Sequence, residues 1–260
     1  MVNPMFDSIR PPWPARPALF LDLDGTLLEI ADEPAHAAPN ARLRALLPHL
    51  APATQGAVAI VSGRTILELD RLLAPHCFAA AGIHGLERRD ATGRIRAAPA
   101  DADALARVRS ELEPFVARHP GVLLEDKRMS YALHYRKAPE LEREVSALVS
   151  ALELGFPPSL EVLSGRMVFE IKPRGVDKGR AIQAFMQESP FAGRTAVFLG
   201  DDVTDESGFE IVNGLGGVSV KVHTGATAAH WRLAGVDAVL AWLEHAVGGS
   251  LGMRAGAANE

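Results

Sequence analysis

Asp22 and Asp24 close the apolar run ALFLDLD (18–24), and Gly25 and Thr26 follow them. Two carboxylates two residues apart at a strand end project to one side and repel each other. A hard divalent cation, which prefers oxygen donors, resolves that repulsion. Gly25 lets the chain turn sharply and close on a ligand. A second acidic cluster, GDDVTDE (200–206), follows another apolar run. A helix start would satisfy Asp205 and Glu206 through its dipole. Asp201 and Asp202 fit that explanation less well, and point to a magnesium ion shared with the first cluster.

Two shorter signals lie between these clusters. Ser62, in VSGR (61–64), ends an apolar run ahead of a helix, where its hydroxyl and the backbone N–H groups could hold phosphate oxygens. Lys178, in GVDKG (175–179), could neutralise a phosphoryl group and an attacking carboxylate. Either alone is ordinary loop chemistry. Their weight comes from standing in order with the two acidic clusters.

These residues need a scaffold that brings distant strand ends together. The runs at 18–24, 57–63, 78–85, 196–202 and 217–222 are apolar without alternation. Helical patterns at 40–50, capped by Asn40, and at 65–74, opened by Thr65, separate the first of them. Such strands belong to a parallel sheet covered on both faces. The expected class is α/β, a doubly wound, Rossmann-like core in which ligands bind beyond the carboxyl ends of the strands.

The middle of the chain differs. A helix over 101–118, a hairpin from 122–126 and 130–136, a helix over 138–152 started by Pro139, and a hairpin over 159–173 form an α-β-β-α-β-β block. The expected organisation is a leader at 1–17, a core at 18–100 and 171–247, an inserted cap at 101–170, and a loose tail at 248–260. Glu125, Lys127, His134 and Arg136 on the first hairpin, with Arg166 and Glu170 on the second, give the cap a polar sheet face. That face suits sugar hydroxyls, though a solvated face with surface ion pairs is the plainer reading of these residues alone.

Composition narrows the function classes. A formal net charge of -5 and a pI near 6.0 argue against a nucleic-acid partner, whose phosphates want a basic face. Cys77 is the single cysteine, so neither an intrachain disulfide nor a cysteine-built metal site is available, and it reads as a small core hydrophobe. The first residues lack a signal peptide's apolar stretch. No run approaches the ~18 apolar residues of a spanning helix. The expectation is a cytoplasmic protein with no membrane partner.

DLDGT, VSGR, the lysine and GDDVTD in this order resemble the four motifs of the haloacid dehalogenase superfamily. From about residue 18 to 244 the chain further resembles the bacterial trehalose-6-phosphate phosphatase family. The resemblance is carried by LDLDGTLLEI (21–30), SGRTILELD (62–70), GIHGLERRD (82–90), LHYRKAP (133–139), EIKPRGVDKGRAI (170–182), residues 193–227 and WRLAG (231–235). It implies hydrolysis of trehalose 6-phosphate with Mg2+ as cofactor. Asp22 would be the nucleophile, forming an aspartyl-phosphate, and Asp24 the general acid and then base. The metal would be held by the Asp22 carboxylate, the Asp24 carbonyl and Asp201, with Asp205 in support. Ser62 and Lys178 would hold the phosphoryl oxygens. Substrate contacts map onto Glu125, Lys127, Arg136 and Glu170, and more loosely onto Arg64, His84 and Glu87. A trehalose-phosphate synthase of the same pathway is the expected protein partner. Other readings are a phosphatase for sucrose phosphate or glucosylglycerol phosphate, and a sugar-phosphate sensor without catalysis. A cap that opens for a disaccharide and closes to exclude water is expected.

Overall fold

The computed structural model describes residues 10–31, 36–99, 101–165 and 167–257, with side chains described through residue 249. The chain forms two compact units. The first comprises 1–96, 177–201 and 205–260, and the second 97–176 with 202–204.

The first unit opens with β1 (Pro17–Leu21), α1 (Ala41–Thr54), β2 (Val58–Val61), α2 (Ile66–Leu73), β3 (Ala79–Gly82), β4 (Glu87–Arg89) and β5 (Ile95–Ala97). In the second unit come α3 (Ala102–Arg118), β6 (Leu123–Asp126), β7 (Tyr131–His134), α4 (Glu142–Glu153), β8 (Leu160–Gly165) and β9 (Val168–Pro173). The chain then returns with α5 (Lys178–Phe185), β10 (Thr195–Gly200), α6 (Glu206–Gly214), β11 (Val218–Val222), β12 (Trp231–Leu233) and α7 (Val236–Ala257).

Eight strands make the core sheet, in the order β12-β11-β10-β1-β2-β3-β4-β5. Pairing is parallel from β12 to β3 and turns antiparallel at β3–β4. β1 is at the centre, and every residue in it is buried. Leu19 and Leu21 point to one face, against leucines of α1 and α2 and Leu240 and Leu243 of α7. Ala18 and Phe20 point to the other, where Phe20 meets Phe185 and Phe191. Alternate residues of a doubly covered strand therefore enter different cores, which is why the run shows no polar alternation. Each large side chain so buried contributes roughly 1.5–3 kcal/mol.

Local signals set the helix starts. Asn40 accepts from Leu43 N–H at 2.8 Å. Thr65 and Glu68 form a reciprocal capping box at the head of α2. α1 continues past the expected end, through Pro48 and Pro52, because Leu43, Leu46, Leu47, Leu50 and Ala53 bury one continuous face. The third strand is shorter than its apolar run, since the backbone leaves the sheet at Ile83 and His84 with φ of 47° and 54°.

Three expectations about the margins change. Pro11 and Trp13 belong to the stretch read as a leader, yet they dock on α7. Trp242 donates its indole N–H to the Pro11 carbonyl at 2.8 Å, and the Trp13 and Trp242 rings meet edge-on at 5.3 Å. A tryptophan carries too much apolar surface to leave in water. α7 also runs on to Ala257, into the stretch read as a loose tail, where Leu251, Met253 and the alanines are good helix formers. Cys77 is exposed rather than buried, because the inward position beside it falls to Phe78. No helix among the described residues is long and apolar enough to cross a membrane.

The second unit is an antiparallel sheet in the order β6-β7-β9-β8. Its bounds are somewhat wider than 101–170. Tyr131, Leu133, Ile171 and Phe169 face α3 and α4 in a third core. The alternate residues, Glu125, His134, Glu170 and Lys172, share the other face.

Candidate active site

β1 ends at Leu21, so Asp22 is the first residue beyond the central strand, at its carboxyl end. Its N–H donates to the Leu199 carbonyl of β10, fixing the backbone beside Asp201. Asp22 is 4% exposed and accepts at Oδ1 from Lys178 Nζ at 2.7 Å. The same ammonium donates to Asp205 Oδ1 at 2.7 Å. Lys178 is delivered by the first turn of α5, which Asp177 caps by accepting from Arg180 N–H. Asp205 is fully buried, and its second oxygen accepts from the Asp201 N–H at 3.0 Å.

Burial pushes the Asp22 carboxyl well above its ordinary range, with Asp205 and Asp201 adding to the push and Lys178 opposing it. For Lys178, burial pulls the ammonium down, but Asp205 and Asp22 outweigh it and keep the lysine charged. Among the described residues Lys178 pairs with Asp22 and Asp205, and Asp201 lies close to both, so carboxylates outnumber the ammonium in this cluster. Asp22, Asp201 and Asp205 each offer an oxygen, all within 4.8 Å of one another. A divalent cation fits this donor set: hard oxygens, excess negative charge, and Gly25 drawn tightly against Asp201. Such an ion would reverse the push on Asp22.

Asp24 takes a different partner. Arg64 grips it with a two-pronged bond, Nε to Oδ2 at 2.6 Å and Nη2 to Oδ1 at 2.7 Å. The expected repulsion between Asp22 and Asp24 is thus relieved by two separate side-chain cations, one for each carboxylate. Arg64 follows Ser62, which is buried and whose Oγ accepts from Arg64 N–H at 3.2 Å. Ile83 and His84 hold this loop from behind, donating their N–H groups to the Arg64 and Ser62 carbonyls at 2.9 Å. The His84 ring lies so close to Gly63 that any side chain there would collide with it. Glu87 accepts from Ile66 N–H at 3.0 Å, so its carboxylate caps α2.

In the second unit Glu125, Lys127, His134 and Glu170 come together. Glu125 meets His134 at 2.8 Å, and Lys127 reaches Glu170 at 3.4 Å. Ser130 donates to Glu170 at 2.8 Å. Ser130 escaped sequence reading, although it stands two before Ala132 and four before His134 in the alternation that marked this face. Arg136 lies just past β7, half-buried. Arg166 is outside the described residues.

A strand-end aspartate pair, a lysine from a distant helix and a second acidic cluster beyond a neighbouring parallel strand define a phosphatase of the haloacid dehalogenase class, a phosphoric monoester hydrolase. The family model of trehalose-phosphatase matches residues 20–237, and the chain belongs to that family. It is 49% identical over 245 residues to the trehalose-6-phosphate phosphatase of Escherichia coli K12, covering 94% of this chain and 91% of that one. A probable trehalose-phosphate phosphatase of Sinorhizobium fredii is 44% identical over 79% of this chain and 77% of its own. The C-terminal domain of the C. albicans trehalose-6-phosphate phosphatase shares the fold, with a TM-score of 0.83 at 23% identity over 90% of this chain and 93% of that one.

Proposed function

We propose that the chain hydrolyses trehalose 6-phosphate to trehalose and phosphate, with Mg2+ bound by Asp22, Asp201 and the Asp24 carbonyl. The observation that carries this reading is the 49% identity, over nearly the full length of both chains, to a phosphatase of that substrate. The buried Asp22–Lys178–Asp205 group supports the chemistry.

Asp22 attacks phosphorus; its oxygen–phosphorus bond forms as the bond to the sugar oxygen breaks. Asp24 gives a proton to that departing oxygen. Asp24 then takes a proton from water, whose oxygen attacks the phosphoryl group and restores Asp22. When bound, Mg2+ neutralises charge on the phosphoryl oxygens. Lys178 keeps Asp22 aimed and adds positive charge, and Ser62 holds a phosphoryl oxygen. Asp205 fixes Lys178 and the Asp201 backbone. Glu125, Lys127, Arg136 and Glu170 bind the sugar hydroxyls. His84 and the turn at Ile83 position the Ser62 loop.

Phosphate release from trehalose 6-phosphate, sucrose 6-phosphate, glucosylglycerol phosphate and glucose 6-phosphate, each with Mg2+ and with a chelator, tests the reading. Trehalose 6-phosphate gives the highest kcat/KM and the chelator abolishes it. A different best substrate, or turnover indifferent to the chelator, overturns it.

A further inference from the structure

Arg64 is 11% exposed as a side chain and spends its planar fork on Asp24, at 2.6 and 2.7 Å. This is the strongest geometry an arginine offers a carboxylate, and it equally suits a phosphoryl group. Its backbone is pinned at both ends: the Arg64 N–H reaches Ser62 Oγ, and the Arg64 carbonyl accepts from Ile83 N–H in a left-handed turn. The guanidinium is therefore carried on a fixed base. Asp24 is exposed by 35% along its side chain, so the pair sits where a ligand can reach it. Lys178, by contrast, is buried and donates to two carboxylates. Arg64 holds a carboxylate that has proton-transfer work to do in the proposed reaction.

Resting on the reading above, we infer that Arg64 is a positioning residue that exchanges partners during turnover. It holds the Asp24 carboxylate in the ligand-free protein and passes to the incoming phosphoryl group. By seating Asp24 until the phosphoryl group arrives, Arg64 sets the position from which Asp24 turns to the departing sugar oxygen, so Asp24 without Arg64 is misplaced for proton transfer. Carboxylate and phosphoryl oxygens compete for one fork, so the release is coupled to binding in both directions.

Two measurements test this, both on the full chain. The first is inorganic phosphate binding by calorimetry in Mg2+. Asp24→Asn leaves the fork without its competitor and binds phosphate about tenfold more tightly than wild type. The gain disappears in Arg64→Ala/Asp24→Asn. A gain that persists without Arg64 is charge removal alone and overturns the exchange. The second is kcat/KM, which reports steps up to phosphorylation of Asp22, on trehalose 6-phosphate and on p-nitrophenyl phosphate, whose leaving group needs no proton. Arg64→Ala lowers the sugar phosphate on the order of a hundredfold and the aryl ester by a few-fold, and adds little to Asp24→Asn in the double variant. Equal losses on both substrates, or losses that multiply, show that Arg64 only binds phosphate and overturn the inference. A wild type inactive on trehalose 6-phosphate but active on the aryl ester refutes the substrate assignment instead, leaving the calorimetric arm to judge Arg64.

Discussion

A Cβ built on Gly25 would stand 2.1 Å from Asp201 Oδ2. The φ of Gly25 is also +81°, which L side chains rarely adopt. Gly25→Ala therefore meets both a steric and a conformational cost, together about 1–3 kcal/mol. It also pushes Asp201 out of the acidic cluster with Asp22 and Asp205. The expected result is a folded protein with a lower melting temperature and a raised metal requirement. Activity at saturating Mg2+ equal to wild type would show that Asp201 has room to move.

Asp22→Asn should be inactive and more heat-stable. Asp22 shares Lys178 with Asp205 and lies close to Asp201, and removing its charge relieves buried repulsion from both. Without metal, the variant is expected to melt about 2–4 °C higher than wild type. Added Mg2+ then stabilises wild type more than the variant, since ligand binding raises only the state that binds it. A variant that melts lower in the absence of metal would contradict this account of the pocket.

Lys178→Met has the opposite sign. It strands Asp22 and Asp205, both buried and each donated to at 2.7 Å by Lys178. Breaking a buried pair from one side costs about 3–5 kcal/mol, readable by urea unfolding. Turnover should fall about a hundred- to thousandfold. Stability within experimental error of wild type would mean that Lys178 is not what balances these charges.

The fold was legible wherever burial was total. The central strands showed as unbroken apolar runs because both faces are covered, and Asn40 and Thr65 marked helix starts that the structure keeps. β4, β5 and β12, three residues each at the sheet margin, were missed because short edge strands lack a periodic signal. At the candidate site, motif order singled out Asp22, Asp24, Ser62, Lys178, Asp201 and Asp205, and the structure brings Asp22, Lys178, Asp201 and Asp205 together. The Arg64–Asp24 grip was not, because its partners lie forty positions apart and only the fold decides which carboxylate an arginine meets. Glu87 shows the same gap: nothing in its sequence neighbourhood announces that it caps α2.

Glu125 carries a pH dependence with a definite sign. Burial pushes its carboxyl up, but the His134 hydrogen bond and the Lys127 charge outweigh this and hold it below its ordinary 4.5. A depressed folded value gives stability that is present above about pH 4.5 and lost as pH falls through it. The wild type is therefore more stable than Glu125→Gln at neutral pH, by under about 1 kcal/mol for so accessible a pair, and the gap closes in acid. Melting curves from pH 7 downward check it; a gap independent of pH would mean that the pairing contributes nothing.

Ser130→Ala removes one of the donors that hold Glu170, which is 7% exposed along its side chain. If Glu170 reads a sugar hydroxyl, KM for trehalose 6-phosphate should rise about three- to tenfold with kcat little changed. A fall in kcat with unchanged KM would move Glu170 from recognition to some other task.

The central strand has a history as well as a position. During synthesis β1 can pair with β2 early, but its other neighbour, β10, is made only after residues 97–176 of the second unit. Until then β1 offers an open edge of apolar residues, and Asp22 has neither Lys178 nor the Asp201 backbone beside it. The second unit has its own core and sheet, so it can settle while the first still waits. The nascent chain is thus most exposed to mispairing along β1 in that interval, when the residues around Asp22 most resemble an unpaired aggregation-prone strand.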